Sequence, residues 1–399
     1  MKLSPTLFQE APPAVGGGLC MYGPPTPEVS AWADYHKVEL VPSGPFTNLK
    51  WTNPDIEAMF HSATPYEYVD GFSPNLNKHL HLGHLSNFVY AKAFQSLGIG
   101  KTFVALLGDT LHGATPHEEA LQAYKNWCVK FNYVVSETYF ASKLTSSTPL
   151  VDGAGYTKTS LEGELQDYTG SKGFLISGEY VVAVKSSGET SYLYHDVALA
   201  EKLNGPTLYL TGHEQAQHFA KLKTLFPHTH SVPLGLISLN GSKMSSSQGN
   251  VILLQDIWNE LTTKFDSPAL IWNVLAGLIL KSTPQSAKNI NIELLNNPKN
   301  SPGLYLSYTL AKLKSAGMVI PLNNKFHNPM LAWKKLVSQY QLNPATLLTA
   351  LLKHTQAIAA LYEDHYIKDH VENQKLFQPL AEDLLYGMTC LGLLNVDKV

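Results

Sequence analysis

Residues 71–84 read GFSPNLNKHLHLGH, and the fold prediction starts from this stretch. The β-branched and aromatic residues at 67–72 predict a buried strand that leads into it. Apolar residues at helical spacing over 81–97 predict a helix that leads out of it. The order strand, turn, helix therefore places His81 and His84 on the first helical turn.

The start of this predicted helix has the chemistry of a phosphate site. A helix N-terminus presents unpaired N–H groups and the positive end of a dipole. His81, His84 and Lys78 add side-chain donors, and Gly83 lets a flat base or ribose approach the backbone. The alternative is a pair of surface histidines that open a helix, because His-x-Gly-His alone is a weak signal.

A second stretch, GSKMSSSQGN at 241–250, is a Gly/Ser-rich loop between two apolar runs. A lysine on such a loop, Lys243, can close over a triphosphate and neutralise charge on the leaving pyrophosphate. The alternative is a solvated linker.

Strands alternate with helices after residue 67, which favours an α/β fold with a doubly wound, parallel nucleotide-binding sheet. Further strands are predicted at 101–107, 131–135 and 207–210, a hairpin at 174–185, and helices from Thr115, from Asp196 and over 214–225. We predict an irregular N-terminal extension over 1–66, a catalytic domain over 67–255 with an insertion at about 142–173, and an all-α domain over 256–399.

Composition narrows the class of protein. The 399 residues carry 15% charged side chains and a net charge of −3, so no global basic field indicates nucleic acid. Three scattered cysteines, no apolar leader and no long apolar run predict a cytoplasmic protein that is not bound to a membrane. The 29 basic residues are all lysine, so the chain contains no arginine.

The two stretches, in this order, resemble the signature motifs of class I aminoacyl-tRNA synthetases. The likeness is greatest to arginyl-tRNA synthetases, and it covers roughly residues 67–399. NYVVSETYF, YLYHDVA, YLTGHEQAQHF and YLSYTLAK are similar to later blocks of that family, in its order. The resemblance implies a Rossmann-like catalytic domain and a shortened, anticodon-binding-like helical domain.

Carried over position by position, the resemblance implies two sets of site residues and no metal-ligating side chain. The catalytic residues would be Lys78, His81, His84 and Lys243, and the ATP-binding residues His81, Gly83, His84, Lys243, Met244 and Ser245. The amino-acid-binding residues would be Ser73, Asn75, Glu137, Tyr192, Asp196 and Gln215. Carboxylates and amide oxygens suit a guanidinium ligand, which offers five donors in a planar fork.

The implied function is an arginine–tRNA ligase that uses ATP and Mg²⁺ to form arginyl-adenylate and passes it to tRNA(Arg), working as a monomer. One alternative is a ligase that passes the adenylate to a small amine or peptide without tRNA. Another is a non-catalytic arginine sensor. The absence of arginine suits a backup or resistance form, or an enzyme that itself consumes arginine, because such a protein can be translated when charged tRNA(Arg) is scarce.

Four departures from the family pattern accompany these matches. Where the family usually has arginine, the chain has Ser86, His195, Lys312 and, in the lysine loop, Ser247 followed by Gln248. The loss of positive charge beside Lys243 is expected to weaken stabilisation of the leaving pyrophosphate.

Overall fold

The computed structural model describes residues 1–12, 18–51, 55–62, 66–77, 79–109, 117–159, 165–239, 242–243, 252–295, 297–365, 367–368 and 370–399. No helix within these ranges is long and apolar enough to span a bilayer.

The N-terminal segment, residues 1–62, is folded, so the prediction of an irregular extension is wrong. Its elements are β1 Gln9–Glu10, β2 Leu19–Tyr22, α1 Pro27–His36, β3 Glu39–Ser43, β4 Phe46–Lys50 and α2 Ile56–Met59. The strands form an antiparallel sheet in the order β1-β2-β4-β3. The segment has a small hydrophobic core around the fully buried Trp32, and Trp333 of the C-terminal part belongs to the same core. The Gly/Pro-rich composition gave no sign of this core.

The central part of the chain alternates strands and helices as predicted. Its elements are β5 Tyr68–Asp70, α3 Leu82–Leu97, β6 Thr102–Leu107, α4 His117–Lys130, β7 Glu137–Phe140, β8 Val151–Asp152, β9 Thr157–Thr159, β10 Leu165–Asp167, β11 Lys172–Ile176, β12 Glu179–Val184, α5 Tyr192–Leu203, β13 Thr207–Gly212, α6 Ala216–Leu225 and β14 Thr229–Leu234. The five strands β14-β13-β5-β6-β7 form one parallel sheet. The predicted α/β fold with a parallel sheet is confirmed.

Two predicted boundaries in this region are wrong. Residues 131–135 are not a strand: Phe131 is buried against Trp272, and Asn132 has a left-handed backbone with φ 50°, so the strand begins only at Glu137. Helix α5 begins at Tyr192 rather than at Asp196, because Ser191 caps it by accepting a hydrogen bond from the N–H of Tyr194. The predicted hairpin is present as β11 and β12.

The C-terminal part is mostly helical, with one small sheet. Its elements are β15 Ile237–Leu239, β16 Ser242–Lys243, α7 Leu254–Thr262, α8 Pro268–Leu280, β17 Lys288–Ile290, α9 Pro302–Ser315, α10 Pro329–Tyr340, α11 Ala345–Asp364 and α12 Val371–Cys390. Strand β15 pairs with β16 and β17. Helices α8 and α9 approach so closely that a Cβ on Gly303 would lie 1.7 Å from the carbonyl oxygen of Asn273.

Candidate active site

The turn after β5 fixes a buried carboxyl at the end of the central strand. Asp70 is only 6% exposed. The Ser73 hydroxyl donates to the Asp70 carboxylate and accepts from the Leu106 N–H at 2.8 Å. Burial raises the pKa of Asp70 to about 7; the Ser73 hydrogen bond opposes this shift and the charge of Asp196 adds to it.

The next residues of the turn link two segments of the predicted amino-acid site. Asn75 pairs with Gly108 beyond the end of β6, and the N–H of Leu76 donates to the Gly108 carbonyl at 2.9 Å. The Asn75 Nδ2 donates to the Tyr192 hydroxyl at 3.1 Å. Because Tyr192 is the first residue of α5 and is 69% exposed, this contact lies at the solvent-facing edge of the site.

His81 and His84 form a reciprocal cap at the start of α3. The Gly83 N–H donates to Nδ1 of His81 at 3.1 Å, and the His81 N–H donates to Nδ1 of His84 at 3.0 Å. The ring centroids lie 3.9 Å apart. An imidazole whose Nδ1 accepts a hydrogen bond carries its proton on Nε2 when the ring is neutral.

The helix start differs from the prediction in one respect: its first amides are already paired. The Leu82 N–H donates to the Ile252 carbonyl at 2.9 Å, and the His84 N–H donates to the His81 carbonyl at 2.9 Å. Gly83 has a second role, because a Cβ there would lie 2.8 Å from Cε1 of His81. Glycine therefore lets the His81 ring fold back over the helix start.

The chain returns from the lysine loop beside this helix start. Lys243 pairs with Ser238 in the β15–β16 hairpin, and after the loop the Leu254 N–H donates to the Leu80 carbonyl at 3.0 Å. Leu253, the residue before Leu254, pairs with His81 in an isolated β-bridge. Lys78, Met244 and Ser245, and the side chain of Lys243, lie outside the described residues.

The predicted residue Glu137 lies on the same face of the sheet as Asp70. Asp70, Val104 and Glu137 are in register across β5, β6 and β7, so Glu137 lies two strands, about 10 Å, from Asp70. The Tyr139 hydroxyl donates to Glu137, and burial together with this bond raises the pKa of Tyr139 to about 12.

Helices α5 and α6 bring the second carboxylate to this face. Asp196 on α5 accepts a hydrogen bond from Nε2 of His218 on α6 at 2.6 Å. Gln215 accepts from the Gly212 N–H at 3.2 Å, just after the end of β13. Each amino-acid-binding residue predicted from the sequence thus has a protein partner.

Sequence reasoning missed Asp70 and His218. Asp70 is an acidic residue at the end of a predicted buried strand, a position at which parallel sheets place ligand-binding groups, and that signal was available. His218 lies three residues after Gln215 on a predicted helix, so both belong to one turn.

The described positions at which arginine is replaced have local roles. His195 hydrogen-bonds Thr190 through Nε2 at 2.8 Å, and burial lowers the pKa of this ring. Lys312 stacks its ammonium 3.7 Å from the ring centroid of Tyr362. Ser86 is buried, and its hydroxyl has no hydrogen-bond partner among the described residues.

Comparison with known proteins finds arginine–tRNA ligases. No protein-family model matches the sequence. The chain is 40% identical over 89 residues to the arginine–tRNA ligase of Limosilactobacillus fermentum, a match that covers 19% of this chain and 16% of that one. It is 24% identical over 305 residues to the arginine–tRNA ligase of Lactiplantibacillus plantarum, covering 66% of this chain and 53% of the relative. The matches thus span about half or less of these relatives.

The fold is that of solved arginyl-tRNA synthetases. The structure from Thermus thermophilus superposes with a TM-score of 0.62 at 16% identity, over 98% of this chain and 96% of that one. The structure from Plasmodium falciparum gives a TM-score of 0.56 at 16% identity, over 91% and 86% of the two chains. The chain is thus similar to arginine–tRNA ligases in sequence over part of its length, and it has the fold of solved arginyl-tRNA synthetases.

Proposed function

We propose that the chain activates arginine with ATP. In this reaction an oxygen of the arginine carboxylate attacks the α-phosphorus, the bond to the bridging oxygen of pyrophosphate breaks, and arginyl-adenylate and pyrophosphate result. The observation that carries the proposal is that Asp70 and Glu137 lie in register on one sheet face, that Asp196 of α5 is close enough to raise the pKa of Asp70, and that the chain returns from the lysine loop to the start of α3.

The carboxylate side of the site suits a cation. Asp196 accepts a hydrogen bond from the imidazole of His218, and Glu137 accepts one from the phenol of Tyr139. A guanidinium can bind a carboxylate with two parallel hydrogen bonds. Asn75 and Tyr192 would hold the amino end of the substrate near the turn after β5.

The nucleotide would lie over the start of α3. The Nε2–H groups of His81 and His84 are donors for phosphate oxygens, and the dipole of a sixteen-residue helix favours negative charge there. Lys243, Met244 and Ser245, with Lys78, would complete this side. Mg²⁺ usually arrives bound to nucleotide phosphates, so no side chain of this chain is assigned to it.

The acceptor of the activated arginine is proposed from the relatives, which are named arginine–tRNA ligases. We propose tRNA(Arg) as the acceptor, with α9–α12 contacting its anticodon arm and the enzyme acting as a cytoplasmic monomer. The absence of arginine is consistent with a backup or resistance form that continues to be translated when charged tRNA(Arg) is scarce.

One observation favours a second acceptor class, a small amine or peptide. The lysines of α10 and α11 pair with the N-terminal segment: Lys334 with Glu10 at 3.4 Å, and Lys335 with Glu57 at 3.3 Å. Lys353 also lies 3.9 Å from Glu10. These ammonium groups are thus neutralised within the chain, whereas tRNA binding depends on cations that meet phosphates.

Arginine-dependent exchange of labelled pyrophosphate into ATP tests the activation step, across all amino acids and canavanine. Exchange with arginine supports the proposal, and an arginine sensor would show none. Acylation of purified tRNA(Arg), measured beside formation of arginine hydroxamate with hydroxylamine, then separates the two acceptors. Hydroxamate without charged tRNA would favour the small amine.

A further inference from the structure

A short segment between β7 and β8, residues 141–148, is named here the strap. Its start is fixed beyond the carboxyl end of β6, where the Ser142 N–H donates to Oδ1 of Asp109 at 2.8 Å and the Ser142 hydroxyl donates to Oδ2. Asp109 directly follows Gly108, the residue that pairs with Asn75. The strap therefore begins at the edge of the sheet on which the candidate site is built.

The other end of the strap is bound by one carboxylate of α5, that of Glu201. The N–H groups of Ser147 and Thr148 donate to its two oxygens at 2.8 and 2.7 Å. The hydroxyls of three consecutive residues also donate to it, namely those of Ser146, Ser147 and Thr148. The Ser146 N–H donates to the hydroxyl of Tyr194, on the same helix, at 3.2 Å. Helix α5 thus holds the strap by both backbone and side-chain groups.

The Glu201 carboxylate is ionised in this contact. Burial by itself would raise the pKa of the carboxyl, but the hydrogen bonds from Thr148, Ser147 and Ser146 outweigh burial and hold the pKa below its ordinary value. Hydrogen bonds to an ionised carboxylate are stronger than those between neutral groups. The contact is therefore a firm anchor for the strap.

The strap joins the two elements that carry the proposed guanidinium-binding carboxylates. Glu137 lies on β7, directly before the strap, and Asp196 lies on α5. Ala141, the first residue of the strap, is buried in the same hydrophobic cluster as Leu193 and Val197 of α5. Because the strap is anchored to α5 and continues from β7, its anchors constrain how far apart the two carboxylates lie.

We propose that Glu201 is a positioning residue that, through the strap, sets the separation of Glu137 and Asp196 and thereby selects arginine by the length of its side chain. The inference rests on the proposed arginine site. A guanidinium presents its donors in a rigid planar fork, so its acceptors must lie at a matching separation. Homoarginine, which is one methylene longer, would carry the same fork beyond these acceptors.

The test is the pyrophosphate exchange assay on the full chain, with arginine and with homoarginine. We expect Glu201→Ala to raise the KM for arginine about tenfold and to leave kcat and the KM for ATP within about twofold, because the anchor acts on binding of the amino acid alone. The preference in kcat/KM for arginine over homoarginine should fall about fivefold, since one methylene is typically worth about 10- to 200-fold in a fitted pocket.

The matched control is Glu179→Ala. Glu179 on β12 binds Lys158 and Lys221 at 3.0 and 3.1 Å, so this variant also removes a carboxylate that accepts several hydrogen bonds, but one outside the strap. We expect its KM for arginine and its preference for arginine to equal those of the wild type.

A second pair of variants keeps Glu201 in place. Thr148→Val keeps the shape of threonine and removes its hydroxyl, whereas Thr148→Ser keeps the hydroxyl. We expect Thr148→Val to lower the preference for arginine about threefold, the size of one lost hydrogen bond, and Thr148→Ser to retain it.

Wild-type KM and preference in folded Glu201→Ala would overturn the inference, as would an equal change in Glu179→Ala or a parallel rise in the KM for ATP. If Glu201→Ala does not fold, equal preference in Thr148→Val and Thr148→Ser would overturn it. Absence of arginine-dependent exchange in the wild type would instead overturn the proposed function. The two failures are thus distinguishable.

Discussion

The sheet face that carries the candidate site and the contact between residues 1–62 and α10 treat charge in opposite ways. On the sheet face, carboxylates accept hydrogen bonds from ring groups: Asp196 from the imidazole of His218, and Glu137 from the phenol of Tyr139. At the contact, glutamates pair with lysines, as Glu57 does with Lys335. In the described part of the chain no lysine pairs with Asp196 or Glu137, whereas the lysines of the second region are paired with glutamates. The lysines at this contact are therefore less available to a polyanion than the lysine count of the chain implies.

The largest expected effect comes from removing the negative charge of Asp196. We expect Asp196→Asn to lower kcat/KM for arginine in pyrophosphate exchange by about 10³-fold, because loss of one partner from a mostly buried ion pair is worth about 3–5 kcal/mol. The matched control is Asp397→Asn, whose side chain is 86% exposed and pairs with Lys314. Equal activity of the two variants would contradict the carboxylate site.

Replacing one imidazole at the start of α3 should have the next largest effect. His81→Asn keeps a good N-cap acceptor, so the free energy of unfolding should change by less than about 1 kcal/mol. The exchange kcat should fall about 100-fold, because a donor to the reacting phosphates is lost. His79→Asn, two residues earlier, is the control. A loss of stability as large as the loss of rate would show that the histidine only caps the helix.

The raised pKa of Asp70 predicts that the free energy of unfolding depends on pH. Its pKa in the folded chain is about 7, above the ordinary 3.8, so the folded state favours the neutral carboxyl. Stability from this group is present at low pH and is lost as pH rises from about 4 to about 7. We expect Asp70→Asn to raise the free energy of unfolding by about 2 kcal/mol at pH 8 and by little at pH 4.5.

Urea unfolding at both pH values measures this difference. A gain that is the same at pH 4.5 and pH 8 would show that the Asp70 carboxyl does not titrate between them.

The smallest change in stability is expected at the contact between the N-terminal segment and α10. Glu10→Gln with Glu57→Gln should lower the free energy of unfolding by less than about 1 kcal/mol, because both glutamates are about half exposed. Binding of tRNA should become stronger, and its dependence on log salt steeper by about 1 to 3, as the released lysines meet phosphates. Glu372→Gln is the control, and unchanged salt dependence would contradict the masking of these lysines.

Periodicity and turn chemistry were sufficient to predict the sheet and its helices. The strand at β5, the helix after it and the β11–β12 hairpin follow from local sequence. The N-terminal segment does not, because its core is completed by Trp333, Leu336 and Val337 of α10, more than 270 residues away. No local pattern reveals a core that distant residues complete.

The candidate site was predictable where its residues are close in sequence and not where they come from distant elements. Ser73, Asn75, His81 and His84 lie in one continuous motif, whereas Asp196 and His218 meet only when α5 and α6 pack side by side. The registration of Asp70 with Glu137 likewise depends on strand order, which places β5 and β7 on either side of β6. Such pairings across elements come from topology rather than from spacing in the sequence.

The folded-back ring of His81 has a consequence for how a nucleotide could enter. Its Nδ1 accepts the hydrogen bond of the Gly83 N–H, and the Ile252 carbonyl accepts that of the Leu82 N–H. Both amides at the helix start are therefore already hydrogen-bonded. A phosphate that uses the Gly83 amide must first displace this imidazole by rotation about its side-chain bonds. The Gly83 amide resonance would then report nucleotide arrival directly, before any chemical step occurs.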